Sequence, residues 1–364
     1  MYIKAVGRAF PPNYYEQDVL VAALRAHWGQ RHHNLDRLER LHRNVAVGGR
    51  HLALPLEDYA DLQPWGKANR AWIRVGLDVG EAAVRDALSQ AQLDLERVGA
   101  FFFTTVTCVA TPSLDARLFN RLSMPPGIKR IPIFGLGCLA GAAGVARAAD
   151  YVKAFPDQAA ILLSVELCSL TMQQADLSIP NIISTGLFGD GAACAVVLGE
   201  DLAKERTRAQ KPTATSATYL GPRVLATRSV FYPDTEDVMG WDISEEGFKI
   251  VLSAAVPEVA RTRLAGDVDA FLDSHDLGRQ DIGSWVCHPG GPKVLEALQE
   301  ALALPDDALE LTWNSLREVG NLSSTSVLLV LRETLVSRRP PAGTLGLMVA
   351  MGPGFCSELV LLEW

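Results

Sequence analysis

The sequence predicts an α/β protein made of two similar halves, each a mixed or parallel sheet covered by helices. Three observations carry this reading. Apolar runs of strand length alternate with helix-periodic segments along both halves. Two landmarks recur at nearly one spacing: Val98 and Ile282 lie 184 residues apart, Cys138 and Asn321 lie 183 apart. A polar stretch, EDLAKERTRAQKPTATSA (200–217), separates the copies. Such a spacing, about half the chain, marks duplication of a whole half, not a short repeat. The expected units are residues 1–200 and 218–364.

The elements follow in order. GEAAVRDALSQAQL (80–93) has helical period, and AFFFTTVT (100–107) reads as a buried strand. CLAGAAGVARAADYVKAF (138–155) is a helix, QAAILLSVEL (158–167) an apolar strand, and AACAVVLG (192–199) a further strand after the turn GDG. The second half repeats the theme with GPKVLEALQEALAL (291–304), LSSTSVLLVLRETLVSR (322–338), GTLGLMVAMG (343–352) and SELVLLEW (357–364). The stretches ALSQAQLDLERVGAF (87–101) and FLDSHDLGRQDIGSW (271–285) share one plan: helix, charged turn, Val/Ile-Gly, aromatic strand start.

Composition narrows the function. A chain of 364 residues, 48% hydrophobic and 21% charged, has ample material for a large core and reads as soluble and globular. A net charge of −8 argues against nucleic acid as the main partner. The N-terminus lacks a basic region followed by an apolar one, and no charge-free run reaches the ~18 residues of a membrane span, so no signal peptide and no span are expected. The six cysteines, Cys108, Cys138, Cys168, Cys194, Cys287 and Cys356, are scattered among apolar or small neighbours. That is neither a disulfide framework nor a metal site, and it suits a reducing cytoplasm. His27, His32, His33, His42 and His51 crowd a polar segment and read as surface residues poorly spaced for a metal; His275 sits in a charged turn.

Three residues stand apart. Cys138 is set in GLGCLAGAAG, a ledge of residues with almost no side chain, at the expected first turn of a helix. Free N–H groups and the partial positive charge there would lower a thiol pKa. The bland alternative, a small buried cysteine in tight packing, is the expectation for the other five. His288, in SWVCHPGGPKVLEAL, ends an apolar strand before a Gly-Gly turn and a helix, the edge where α/β sheets bind ligands. Asn321, in EVGNLSSTS, occupies in the second half the place of Cys138 in the first; a helix N-cap is its plain alternative. A pseudo-two-fold arrangement would bring the two helix starts together. His288 could then pair with a thiolate, and Asn321 could donate to a developing oxyanion.

GCLAGAAGVARAADYV, LFGDGAACAVVLG, CHPGGPKVLEAL, GNLSSTSVLLVL and GPGF, in this order and spacing over nearly the whole chain, resemble the type III polyketide synthases, relatives of chalcone synthase. The resemblance implies the thiolase fold, two halves in a five-layer αβαβα arrangement, and a homodimer. It implies that Cys138 accepts the acyl group and that His288 and Asn321 drive malonyl decarboxylation. Substrate contacts implied are Phe188 as gatekeeper, Trp241 and Ile250 as cavity wall, Thr107, Thr171 and Lys293, with Arg37, Arg40, Arg43 and Arg50 facing coenzyme A phosphates. A solvated face of mixed charge is the alternative for those arginines, and a surface loop aromatic the alternative for Trp241. Ile250 stands where plant enzymes carry an aromatic, Trp241 where they carry a small residue, and AMGPGFCSE departs from their terminal motif. ALPLEDY, CSLTMQQADLS and MGWDISEEGFKIVLS look closer to bacterial alkylresorcinol and alkylpyrone synthases. The expectation is a cytoplasmic acyltransferase without a cofactor, using acyl-CoA and malonyl-CoA. The alternatives are a ketosynthase joining two carrier-protein-bound chains into an α-pyrone, a single-condensation ketoacyl synthase, or a non-catalytic scaffold of this fold.

Overall fold

Neighbouring residues on the central strands go to different cores, and that alternation fixes the layers. The computed structural model describes residues 1–28, 35–209 and 219–364. The first half contains β1 (Tyr2–Ala9), β2 (Asn13–Glu16), α1 (Gln17–Trp28), α2 (Leu35–Arg43), β3 (Gly49–Leu52), α3 (Gly66–Ala91), β4 (Val98–Thr105), α4 (Leu114–Leu122), β5 (Lys129–Phe134), α5 (Ala140–Ala154), β6 (Ala159–Leu167), α6 (Ile179–Leu187), β7 (Asp190–Leu198) and α7 (Glu200–Ala209). The second contains β8 (Arg223–Phe231), β9 (Met239–Ser244), β10 (Gly247–Leu252), α8 (Val256–Val259), α9 (Ala265–Asp273), β11 (Ile282–Cys287), α10 (Pro292–Leu302), α11 (Glu310–Val319), α12 (Ser324–Val336), β12 (Leu345–Gly352) and β13 (Cys356–Glu363).

Nine strands run in the order β11-β12-β13-β8-β1-β7-β6-β4-β5. The β4–β6 pair is parallel, and β6–β7 and β7–β1 are antiparallel. The second half repeats this with β11–β12 parallel, and β12–β13 and β13–β8 antiparallel. Within the sheet, the strands of the two halves pair at Tyr2 with Arg223. Val98 and Ile282, the landmarks of the repeat, are the first residues of β4 and β11.

Phe101 and Phe103 of β4 pack outward against α3 and α4, while Ala100 and Phe102 pack inward toward α5. On β11, Val286 faces that same inner layer; Trp285 and Cys287 face α9 and α10. The order is therefore outer helices, half-sheet, α5 with α12, half-sheet, outer helices: the expected five layers. The inner helices are buried all round, as a helix between two sheets must be. This explains the glycine-rich ledge. A Cβ on Gly141 would sit 2.2 Å from the Ser324 carbonyl oxygen, so only glycine lets α5 lie against α12 there.

The stretch read as a linker is a correction. Its first ten residues form α7, whose Leu202 and Ala203 are buried in the outer core of the first half; the rest of it lies outside the described residues. No helix among the described residues is long and apolar enough to cross a membrane.

Candidate active site

Cys138 sits in the 3-10 turn Gly137–Leu139 that leads into α5. Gly137 has φ +51°, and a Cβ there would lie 2.6 Å from the Pro353 ring, so glycine is required just before the thiol. The thiol is 7% exposed. Burial pushes it up to about 11, and the Ser323 hydroxyl pulls it back part of the way. The low thiol pKa expected from the helix start is thus not the resting state: desolvation outweighs the hydrogen bond.

The start of α12 faces this turn. Ser323 donates to Cys138 Sγ at 3.6 Å. Ser323 holds φ +46°, ψ −126°, a strained backbone for a residue with a Cβ. The strain is held by Asn321, whose Oδ1 accepts the Ser323 N–H at 2.8 Å. Asn321 is therefore not the cap of α12; Ser323 occupies that place. With Oδ1 committed, Asn321 Nδ2 is left without a protein acceptor among the described residues, free to donate to a ligand. The Asn321 backbone is pinned by Leu187 O at 2.9 Å and by Gly189 N at 3.0 Å, and it forms a bridge with Phe188.

His288 follows the last residue of β11, and its N–H continues the ladder to Val349 O at 2.9 Å. It is 7% exposed, and neither ring nitrogen has a protein partner. Burial lowers it to about 3, so the imidazole is neutral at physiological pH. A buried polar ring with no partner is costly unless a ligand completes it. A chain of contacts closes a ring around these residues. Gly291, three residues past His288, packs near Leu187; Leu187 binds Asn321; Ser323 reaches Cys138; and Gly352, at the end of β12 beside β11, abuts the Cys138 turn. Cys138 and Ser323 lie at the starts of the two inner helices and His288 follows the end of β11, as duplication predicts.

Two further groups have no sequence signature. Glu166, wholly buried at the end of β6, accepts from the Ser324 hydroxyl and from Val106 N at 3.1 Å. Burial raises its carboxyl to about 7 against those hydrogen bonds. Cys168, expected to be mere filler, lies in the wall of a cavity of about 270 Å³.

That cavity collects most of the expected substrate residues. Thr171, Phe188, Trp241 and Ile250 line it, together with Leu20, Leu24, Leu52 and Met172. Trp241 and Ile250 are direct cross-strand partners in the β9–β10 hairpin, so Trp241 is a wall residue and not a loop aromatic. Cys138, His288 and Asn321 do not line this cavity; Phe188, which lines it, is the residue that also bridges to Asn321.

Other placements differ from expectation. Thr107 is buried away from the cavity, its hydroxyl accepting Trp72 Nε1 at 3.2 Å and Leu167 N at 3.1 Å. Arg50 also lines the cavity, but it is 3% exposed and donates to Gln17 Oε1 at 3.0 Å and to the Thr185 and Gly186 carbonyls, tying β3 to α6 instead of meeting phosphate in solvent. His42 is buried, not a surface residue, with Nε2 on Ile182 O at 2.7 Å, and burial lowers it to about 4. His51 is half-buried, stacked on Phe10 at 4.7 Å. Arg37, Arg40 and Arg43 are exposed on α2, Lys293 in the first turn of α10. The side chain of His27, and His32 and His33 altogether, lie outside the described residues. Among the described residues no cluster suits a metal ion.

A buried thiol, a neutral histidine and an oriented amide, where two duplicated halves converge in a five-layer fold, define a thiol-dependent condensing enzyme. The chain belongs to the chalcone and stilbene synthases, the type III polyketide synthases: residues 1–202 match the N-terminal domain of that family and residues 223–363 the C-terminal domain. It is 48% identical to 1,3,6,8-tetrahydroxynaphthalene synthase of Streptomyces peucetius subsp. caesius, over 100% of this chain and 93% of that one. It is 30% identical to phloroglucinol synthase of Pseudomonas fluorescens, over 90% and 88%. Among solved structures, 1,3,6,8-tetrahydroxynaphthalene synthase of Streptomyces coelicolor A3(2), a bacterial type III polyketide synthase, superposes with a TM-score of 0.90 at 28% identity, covering 100% of this chain and 99% of that one.

Proposed function

We propose that this polyketide synthase loads a fatty acyl group from acyl-CoA onto Cys138, extends it with malonyl-CoA, and releases an alkylpyrone or alkylresorcinol. The cavity carries the reading: its lining includes Leu20, Leu24, Leu52 and Met172, apolar side chains suited to an alkyl tail. Cys138 sulfur attacks the acyl thioester, and coenzyme A leaves as its thiol. Malonyl-CoA then loses carbon dioxide, and the bonding pair becomes an enolate. The neutral His288 ring and Asn321 Nδ2 donate to its oxygen in a water-poor site, where such donors are strong. The enolate carbon attacks the Cys138 thioester, forming the new C–C bond and freeing the thiolate. These steps draw only on thioesters. Arg40, Arg43 and Lys293, exposed on α2 and α10, are our candidates for the coenzyme A phosphates. We take the working unit to be a homodimer, with Phe134, 50% exposed on edge strand β5, as one apolar contact for a second copy.

A second reading is favoured by the 48% identity to a tetrahydroxynaphthalene synthase: a product built from malonyl units alone. Incubating the protein with malonyl-CoA and acyl-CoA starters from acetyl to stearoyl, and reading product masses, separates the two. Products that carry the added starter support the proposal. A single product whose mass ignores the starter overturns it.

A further inference from the structure

The β9–β10 hairpin carries Trp241 and Ile250, yet it is a separate two-stranded sheet, unpaired with the nine-stranded one. Such a hairpin is marginal by itself and takes its position from what it packs on. Two devices hold it. Phe248, 1% exposed, inserts among Trp65, Trp241 and Phe134, with ring centroids 5.8, 5.9 and 6.4 Å away. Gln173, 7% exposed, donates from Nε2 to the carbonyls of Glu246 and Phe248, both at 3.2 Å. Phe248 lies in β10 and Glu246 in the turn just before it, so Gln173 grips the hairpin near its tip. The Gln173 carbonyl in turn accepts Asn181 Nδ2 at 2.9 Å. Asn181 is 3% exposed on α6 and itself lines the cavity. One cavity wall, from Thr171 to Thr185, is thus clasped to the hairpin that forms another.

We propose that Gln173 is a positioning residue for product size: its amide fixes how far Trp241 and Ile250 stand from the Thr171–Thr185 wall, and so sets how much chain the cavity admits. The inference builds on the proposed cavity reading, but it concerns cavity dimension and holds whichever starter the enzyme takes. Gln173 touches neither substrate nor Cys138; it acts through the indole. Nothing in the sequence marks it, because its partners are backbone carbonyls 73 and 75 residues away.

The test uses Gln173→Met, which keeps length and volume but removes both donors, beside Trp241→Gly and the double variant. With the starter that the native enzyme turns over best, Gln173→Met, which loses two hydrogen bonds, should change the ratio of longer to shorter polyketides by about fivefold or more, fivefold being the effect of one buried hydrogen bond. Carbon dioxide release from malonyl-CoA should stay at the native rate. In the double variant the Gln173 change should add less to the shift caused by Trp241→Gly than it causes alone, because only Ile250 is left for it to position. An unchanged product ratio in a folded Gln173→Met, or a fully additive double variant, overturns the proposal. If that variant does not fold, Gln173→Glu, which keeps the shape and loses the donors, is read the same way. Failure of the starter reading would appear in the native enzyme's products, and so is distinguishable from failure of the clasp.

Discussion

The turn before α5 and the turn before α12 are counterparts in the two halves, yet one presents a thiol and the other an amide. In the first, Gly137 takes the left-handed backbone and Cys138 follows it, half in the helix. In the second, a serine takes the strained backbone, and Asn321 supplies the hydrogen bond that holds it. Symmetry brings the two helix starts together; departure from symmetry divides the chemistry. On the proposed reading, the first half keeps the nucleophile. The second keeps the donors, Asn321 and Ser323, and adds His288 from β11, the counterpart of β4. Each half also carries a separate two-stranded sheet: β2–β3 of the first gives the cavity Arg50 and Leu52, and β9–β10 of the second gives it Trp241 and Ile250.

If that division holds, Cys138→Ala is the largest break. Intact-protein mass after incubation with an acyl-CoA should show no adduct, against full loading of the native chain; loading of the variant at the native rate contradicts the assignment. Next come the donors. Asn321→Ala or His288→Ala should slow decarboxylation of malonyl-CoA by a factor of ~10²–10³, measured as carbon dioxide release. Near-native release would return Asn321 to a purely conformational role at the strained turn. Ser323 sharpens the comparison. Ser323→Ala removes the donor from the sulfur but keeps a Cβ in the strained region, and Ser323→Gly removes both. Both should slow alkylation of Cys138 by iodoacetamide at pH about 8 by a factor of about five, while the glycine variant melts higher than the alanine one by an amount worth about 1 kcal/mol. Equal melting points would remove the strain from the account.

The last test is a pH dependence, which reads stability instead of turnover. Folding raises the Glu166 carboxyl to about 7 from its ordinary 4.5. The native state then holds this proton more tightly than the unfolded chain does. Its contribution to stability is complete below about pH 4.5 and is lost as pH rises through about 7. The melting temperature of the native protein relative to Glu166→Gln should therefore fall between pH about 5 and 7, as scanning calorimetry would record. A flat or rising difference contradicts the buried neutral carboxyl.

Much of this was legible in the sequence, because it depends on pattern and adjacency. Buried strands read as apolar runs. The duplication showed in paired landmarks that prove to be strand starts. Cys138, His288 and Asn321 stood out since each lies at an element end beside glycine, where a packing role explains little. What escaped notice depends on distant partners. α3 starts at Gly66, well before the segment GEAAVRDALSQAQL, because its first turns bury Ala68, Ala71 and Trp72 against parts of the fold no local window sees. Arg50 and His42 read as surface cations, yet Gln17 and the carbonyls of α6 enclose them. Thr107 looked like a cavity hydroxyl but is taken by Trp72. The thiol pKa was misjudged for a related reason: a helix start is visible in sequence, and the desolvation that outweighs it is not.

The most direct test of the division between halves is carbon dioxide release from malonyl-CoA by Cys138→Ala. If the second half alone decarboxylates, this variant should continue to release carbon dioxide at a rate within about tenfold of the native enzyme while forming no acyl adduct. A loss as deep as that of Asn321→Ala would mean that the thiol takes part in decarboxylation, and that the two helix starts do not divide the reaction between them.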